Sequence, residues 1–335
     1  MIDAGVKATE KVYLSLLKKL EKIYGQAVKD LRRKLRKFVK RYSAKNMKML
    51  DDLAKGIINE QQYQSWLMGQ VFQGKAWKNR IGTVAKTLVN LNKQAFKLLH
   101  KGVLDVFAQN MNYQHYKLEH DLGIDTGFSV YNPEAVSRMI KEDPKVLPEW
   151  KIDEEKDYTW NAQRVNNTVT QGILQGESVP QIAQRLMTEL KTSNEKKMLM
   201  FARTAVNGAQ NAGRIEAMRR QQDLGIVVQK KWLATRDSRT RDTHRHLDGQ
   251  TAELDEPFKV QTKGGMKEIS YPGDPNAAPE LVYNCRCTLT YHYPQLQPKK
   301  KDFPKNEAAQ KMTFDQWLEA KENRERVQGV VKPKE

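Results

Sequence analysis

YLSLLKKLEKIYGQAVKDLRRKLRKFVKRY, residues 13–42, decides the fold class. Tyr13, Leu17, Leu20, Tyr24, Ala27, Leu31, Leu35, Phe38 and Tyr42 recur at steps of three and four, which gathers them on one face of a helix. The steps mostly alternate four and three, the spacing of a coiled-coil or long bundle helix, so the stripe is expected to be a packing seam. Working outward, Val84, Leu88, Leu91, Ala95, Leu98 and Val103 repeat the pattern. Pro133, Pro144 and Pro148 then interrupt it, together with Gly123 and Gly127. Helical spacing resumes at Val165, and from Leu224 partial alternation takes over, as in a strand entering a small sheet. The expected fold is mainly α: long amphipathic helices followed by a small α+β C-terminal domain. The expected organisation is a basic, extended helical region at 1–120, an irregular connection at 121–160 that holds the acidic patch Asp153-Glu154-Glu155, and a helical region at 161–222. The small α+β domain follows at 223–298, and a basic, flexible tail with a short amphipathic helix at 299–335.

Length and composition close off several classes. A chain of 335 residues suits about two domains. No stretch approaches the ~18 consecutive apolar residues that span a bilayer. The opening MIDAGVKATEKVY lacks the apolar core of a signal peptide, so no membrane partner is expected. Two cysteines exclude a disulfide scaffold. His100, His115 and His120 stand apart from one another and are expected to be surface or capping residues.

The net charge of +18 is concentrated at the front, where residues 1–50 hold eleven lysines and four arginines against four acidic residues. The densest run is Arg32, Arg33, Lys34, Arg36 and Lys37, closing at Lys40 and Arg41. Such a stripe attracts polyanions by counterion release, largely without sequence preference, so non-specific double-stranded DNA is the expected partner. The plainer reading is a solvated face that keeps the protein soluble.

Residues 232–250, WLATRDSRTRDTHRHLDGQ, are dense in metal ligands and ion-pair formers. The only two cysteines follow at Cys285 and Cys287, and the only H-x-H upstream is His244 and His246. Two thiolates and one or two imidazoles suit the borderline-soft, tetrahedral preference of zinc. His244, Cys285 and Cys287 are the first members, and His246 is the natural fourth. A helix across 243–247 would turn the two histidines some 200° apart, whereas an extended segment would let both reach one ion. The other reading is a pair of reduced, buried cysteines in a small core. As a catalytic alternative, His244, Asp248 and Arg239 or Arg241 supply acid, base and phosphate clamp for a metal-dependent nuclease or other nucleic-acid-processing enzyme. Paired carboxylates, a Gly-rich phosphate loop and a serine-nucleophile elbow are all missing, so no catalytic residue is assigned.

Ala202-Arg203-Thr204, Trp232, Asp237 through His244, Asp248-Gly249-Gln250, Pro272-Gly273-Asp274-Pro275 and Asn284-Cys285-Arg286-Cys287 occur in one order. Together they resemble the phage head-morphogenesis, or minor capsid protein, family of the Mu F type, closely over about 165–292 and more loosely over 50–165. The resemblance implies a low-copy structural protein of the virion, without enzyme activity. Its implied partners are the portal protein, capsid or scaffold proteins and packaged DNA. It would sit in the capsid interior or at the portal vertex, after assembly in the host cytoplasm. It also implies a fold-stabilising motif of Arg239, Arg241, Asp248, Gly249 and Asn284 around His244, Cys285 and Cys287, and His246 stands outside that pattern. Related domains occur in bacterial toxins, fused to a separate toxin domain. Residues 299–335 are too short for one.

Overall fold

The opening stripe lies in α1 (Ala4–Ala54), a helix of 51 residues. In the computed structural model, residues 3–72, 75–148, 153–175, 177, 179–294 and 303–327 are described. α1 ends where Gly56, at φ 68°, takes the left-handed conformation and its N–H donates to the Leu53 carbonyl. α2 (Glu60–Phe72) starts on a reciprocal cap. In it the Asn59 side chain accepts from the Gln62 N–H, and the Gln62 side chain accepts from the Asn59 N–H. α3 (Lys75–Leu122), α4 (Pro133–Glu142), α5 (Glu154–Leu174) and α6 (Val179–Asp223) follow. The small β part then begins, so the chain is mainly α with antiparallel strands confined to its C-terminal side.

Four local expectations change. Leu16, not Leu17, is the buried residue of the first turns of α1, because Gly102 of α3 leaves it room: a Cβ on Gly102 would stand 2.6 Å from Leu16 Cδ1. The side chains of Leu31, Leu35, Phe38 and Tyr42 lie outside the described residues. The irregular connection carries α4, started by Pro133 after an Asn132 cap that accepts from the Ala135 N–H at 2.8 Å. Its acidic patch is no loop but the start of α5, where carboxylates favour the positive end of the helix dipole. Finally, His115 is fully buried with its ring 3.5 Å from that of Phe128, and burial pushes its pKa down to about 3.

The chain divides into two units. The first comprises residues 1–16, 99–150 and 200–335. In it the second part of α6 carries a line of buried polar residues. Arg214 donates to Asp3 Oδ1 at 2.8 Å, Asn110 Oδ1 at 3.1 Å and the Leu289 carbonyl at 2.8 Å. Asn211 donates to the Pro272 carbonyl and accepts from the Leu289 N–H, at 2.9 and 2.7 Å. Two glycines let α6 approach its neighbours backbone to backbone: a Cβ on Gly213 would meet the Phe107 carbonyl oxygen at 2.5 Å, and one on Gly208 that of Gly273, also at 2.5 Å.

The β part lies wholly in this unit. β1 (Gln229–Leu233) is central in a three-stranded antiparallel sheet, between β2 (Thr251–Ala252) and β5 (Thr288–His292), with Trp232 opposite Leu289. β3 (Phe258–Thr262) and β4 (Gly265–Ile269) form a separate hairpin. Two short helices connect these strands, α7 (Asp242–Leu247) and α8 (Pro279–Val282).

Residues 303–327 correct the expectation of a flexible tail over that stretch. Ile124 pairs with Lys305, and α9 (Phe314–Val327) packs Phe314 and Trp317 on Tyr113 and Tyr116 of α3. Glu119, wholly buried, accepts from Trp317 Nε1 at 2.7 Å, Lys321 Nζ at 2.9 Å and the Thr126 hydroxyl at 2.6 Å. The apolar face of a short amphipathic helix has found a wall, and a buried carboxylate fixes its register.

The second unit comprises residues 17–98 and 151–199. Its centre is polar. The Tyr24 hydroxyl donates to Asn92 Oδ1 at 2.6 Å, and Asn92 Nδ2 donates to Asp157 and Asn194, both at 2.9 Å. Lys197 donates to the other Asp157 oxygen at 2.8 Å. Each buried donor here meets an acceptor, so the network specifies one arrangement of the helices that an all-leucine core would leave open. Glu154 of the acidic patch pairs with Lys93 of α3 at 2.6 Å.

Candidate metal centre

β1 delivers Trp232 to the interior of the first unit, and the chain then leaves the sheet and returns at Gln250. The neck is closed by two backbone hydrogen bonds, Trp232 N–H to the Gln250 carbonyl at 2.9 Å and Gly249 N–H to the Trp232 carbonyl at 2.8 Å. Gly249 sits at φ 83° to make that turn. Asp248 beside it accepts from the Ala234 N–H at 2.9 Å and from Arg236 Nε at 2.8 Å.

Within the loop, α7 decides between the two histidines. Because 242–247 is helical, His244 and His246 diverge by the expected half-turn. His244 is 1% exposed, its ring edge-to-face with Trp232 at a centroid distance of 5.3 Å. His246 is exposed, with Nδ1 2.7 Å from the Asp242 carbonyl oxygen. His246 therefore does not join the cluster as a fourth ligand.

The cysteines arrive from the other side. After α8, Asn284 adopts φ 58° and its N–H donates to Thr204 Oγ1 of α6 at 3.1 Å. This turn launches an extended run into β5, and in extended chain residues two apart share a face. Cys285 and Cys287 therefore point one way and Arg286 the other. Both sulfurs reach His244 Nδ1, each at 3.5 Å. His244, Cys285 and Cys287 are all buried, and their ligand atoms lie within 4.8 Å of one another. Arg286 reaches back to Asp237 with both terminal nitrogens, one at 2.7 Å to Oδ1. That guanidinium holds the Asp237 carboxyl well below the usual carboxylate range. Arg241 donates to the Tyr283 carbonyl. Arg239 is exposed, and its backbone N–H donates to Asp237 at 3.0 Å.

The two thiols differ. The hydrogen bond from Cys285, then the contact with His244, draws the Cys287 thiol well below its ordinary range. The same bond, with burial, pushes Cys285 well above it. His244 Nε2 has no hydrogen-bond partner among the described residues. Donors of this kind suit a soft or borderline cation. As a nuclease constellation the arrangement is poor, because His244 faces sulfur rather than solvent and Asp248 is occupied by Ala234 and Arg236.

The sequence motifs include Thr204 but assign no supporting role to it, nor to Gly208 or Asn211. Thr204, Gly208 and Asn211 hold the loops around Asn284, Gly273 and Leu289 from α6. A polar residue at each turn of an otherwise apolar face was the available signal. The basic run is helical, with Arg33 exposed and 3.4 Å from Asp30. The side chains of Arg32, Lys34, Arg36, Lys37, Lys40 and Arg41 lie outside the described residues.

Residues 163–290 match the family described as Phage Mu protein F like protein, which takes in the whole loop, the cluster, β1 to β4 and the first part of β5. Over a longer span, the chain is 28% identical across 277 residues to "Minor head protein GP7" of Bacillus phage SPP1, covering 82% of this chain and 81% of that protein. Residues 163–290 thus form a Mu F-like domain, and over four-fifths of its length the chain is similar to a phage minor head protein. It is also 32% identical over 157 residues to "NAD(+)--arginine ADP-ribosyltransferase EFV" of Enterococcus faecalis (strain ATCC 700802 / V583), a match covering 47% of this chain but 31% of that protein. No solved structure matches. Among the described residues no helix is long and apolar enough to cross a membrane.

Proposed function

We propose that this protein is a minor head protein, a portal-associated structural component of the tailed-phage virion. It acts in procapsid assembly without catalysis and contacts packaged DNA through the basic run of α1. The observation that carries the reading is an alignment over about four-fifths of both chains with a protein named for the head. The local chemistry agrees. His244 and the cysteines are buried, and Asp237 and Asp248 serve as internal acceptors, which suits a scaffold better than a substrate site. The activity in the name of the Enterococcus protein belongs to that protein, of which the shared region is a minor part.

Quantitative mass spectrometry of purified procapsids and mature virions tests the assembly role. A few copies per portal ring in both particles is the expected result. Protein found free in the lysate and missing from particles would overturn the reading and direct attention to nuclease assays with a His244→Ala control. The DNA contact has its own test. Replacing Arg32, Arg33, Lys34, Arg36, Lys37, Lys40 and Arg41 by glutamine is expected to weaken binding to any duplex alike. The slope of log affinity against log salt should become shallower by about 0.9 for each phosphate that the variant no longer neutralises. An unchanged slope would remove α1 from the DNA interface.

A further inference from the structure

We propose that His244 Nδ1, Cys285 Sγ and Cys287 Sγ bind one zinc ion, which fastens α7 to the run entering β5. The argument starts from distance. With Zn–S near 2.3 Å and Zn–N near 2.0–2.1 Å at the tetrahedral angle, nitrogen and sulfur stand about 3.5 Å apart. Both sulfurs lie 3.5 Å from Nδ1. Both nitrogen–sulfur separations are thus already those of a tetrahedral zinc site.

Burial supplies the second argument. The three side chains are 1–2% exposed. A single imidazole nitrogen stands 3.5 Å from each of two buried sulfurs and cannot make a good hydrogen bond to both, so without an ion part of this polar chemistry is left poorly satisfied. One divalent cation with two thiolates is neutral and satisfies all three donors together. The donor set also chooses the metal. Thiolates with imidazole select zinc over magnesium, calcium or manganese, which take oxygen.

The site has two particular features. Coordination through Nδ1 leaves the ring proton on Nε2, which has no acceptor among the described residues. The carboxylate that commonly orients a zinc-bound histidine is thus missing, and packing on Trp232 sets the ring plane instead. No further His, Cys, Asp or Glu among the described residues joins the group. The ligands stand 41 and 43 residues apart in the chain. The ion therefore cross-links the two ends of the β part, as a disulfide would in an oxidising compartment.

The test uses the full chain, purified with reductant and without chelator. Elemental analysis is expected to give one zinc per chain in the wild type and in His246→Ala, and loss of the zinc in His244→Ala and in Cys285→Ser/Cys287→Ser. In stripped wild-type protein refilled with cobalt, a thiolate-to-cobalt charge-transfer band is expected. Chelator should lower the melting temperature and zinc should restore it. If the variants do not fold, the cobalt band and the chelator response of the wild type decide. Far less than one metal per chain with melting unmoved by chelator would overturn the proposal. So would full zinc in the double-serine variant, or a Cys285–Cys287 disulfide in the native protein.

Discussion

Gly273→Ala is expected to cost about 4 kcal/mol of stability, against about 1–2 kcal/mol for Gly249→Ala. The two glycines have nearly the same backbone, φ 84° and 83°. An L side chain in that left-handed region costs about 1–2 kcal/mol at either position. What differs is room. A Cβ on Gly249 meets nothing within 4 Å, whereas one on Gly273 would stand 2.6 Å from the Gly208 nitrogen and 2.7 Å from its Cα. Those atoms belong to the backbone of α6 and cannot rotate aside as a side chain would, so the loop at 271–275 must back away. Overpacking of this kind adds about 1–3 kcal/mol, and sometimes more. Retreat would also strain the bond from Asn211 to the Pro272 carbonyl. Gly208→Ala isolates the steric part. Its steric cost should fall in the same range, partly offset by the ~1 kcal/mol that alanine gains over glycine inside a helix. Urea unfolding midpoints at constant slope measure all three. Equal midpoints for the 273 and 249 variants would dispose of the backbone contact.

The second large effect is at Glu119. Glu119→Gln keeps the shape but removes the charge that faces Lys321 and sets an amide donor among Trp317 Nε1, Lys321 Nζ and Thr126. Breaking a buried ion pair from one side typically costs about 3–5 kcal/mol. Lys321 keeps Asp125 at 3.0 Å, so about 3 kcal/mol is expected here. The loss should be local, with α9 leaving α3 before anything else unfolds. Hydrogen exchange over 314–324 should accelerate strongly while that of α6 stays slow. Unchanged exchange in α9 would count against the carboxylate as its anchor. The double variant Glu119→Gln/Lys321→Met removes the stranded ammonium and should recover part of the loss.

The long helices are legible in the sequence because apolar residues at steps of three and four have one structural solution. So is the choice between His244 and His246, once 242–247 is known to be helical. The boundaries are less legible. Residues 181–207 contain neither glycine nor proline, so α6 runs unbroken through a stretch for which the sequence marks no helix bounds. Asp153-Glu154-Glu155 reads as loop, although acidic residues are what a helix start favours. Contacts distant in sequence are invisible. Nothing around Glu119 announces a partner about 200 residues later, and His115 reads as polar surface until Phe128 is laid over it. In the candidate metal centre the donor types are readable from residue chemistry. Their supports on α6 are not, because a buried asparagine differs from an exposed one only in its surroundings.

The division of the chain has a consequence for the order of folding. The second unit is complete once residue 199 has been made, whereas the first needs segments from both sides of it, ending with α9. On the ribosome, the Tyr24–Asn92–Asp157 network can close while Glu119 still waits for Trp317 and Lys321. Until then, Tyr113 and Tyr116 present bare aromatic surface to solvent. High contact order makes such closures late and leaves the intermediate prone to self-association. Chaperone demand during synthesis should therefore centre on the α3 surface that α9 finally covers.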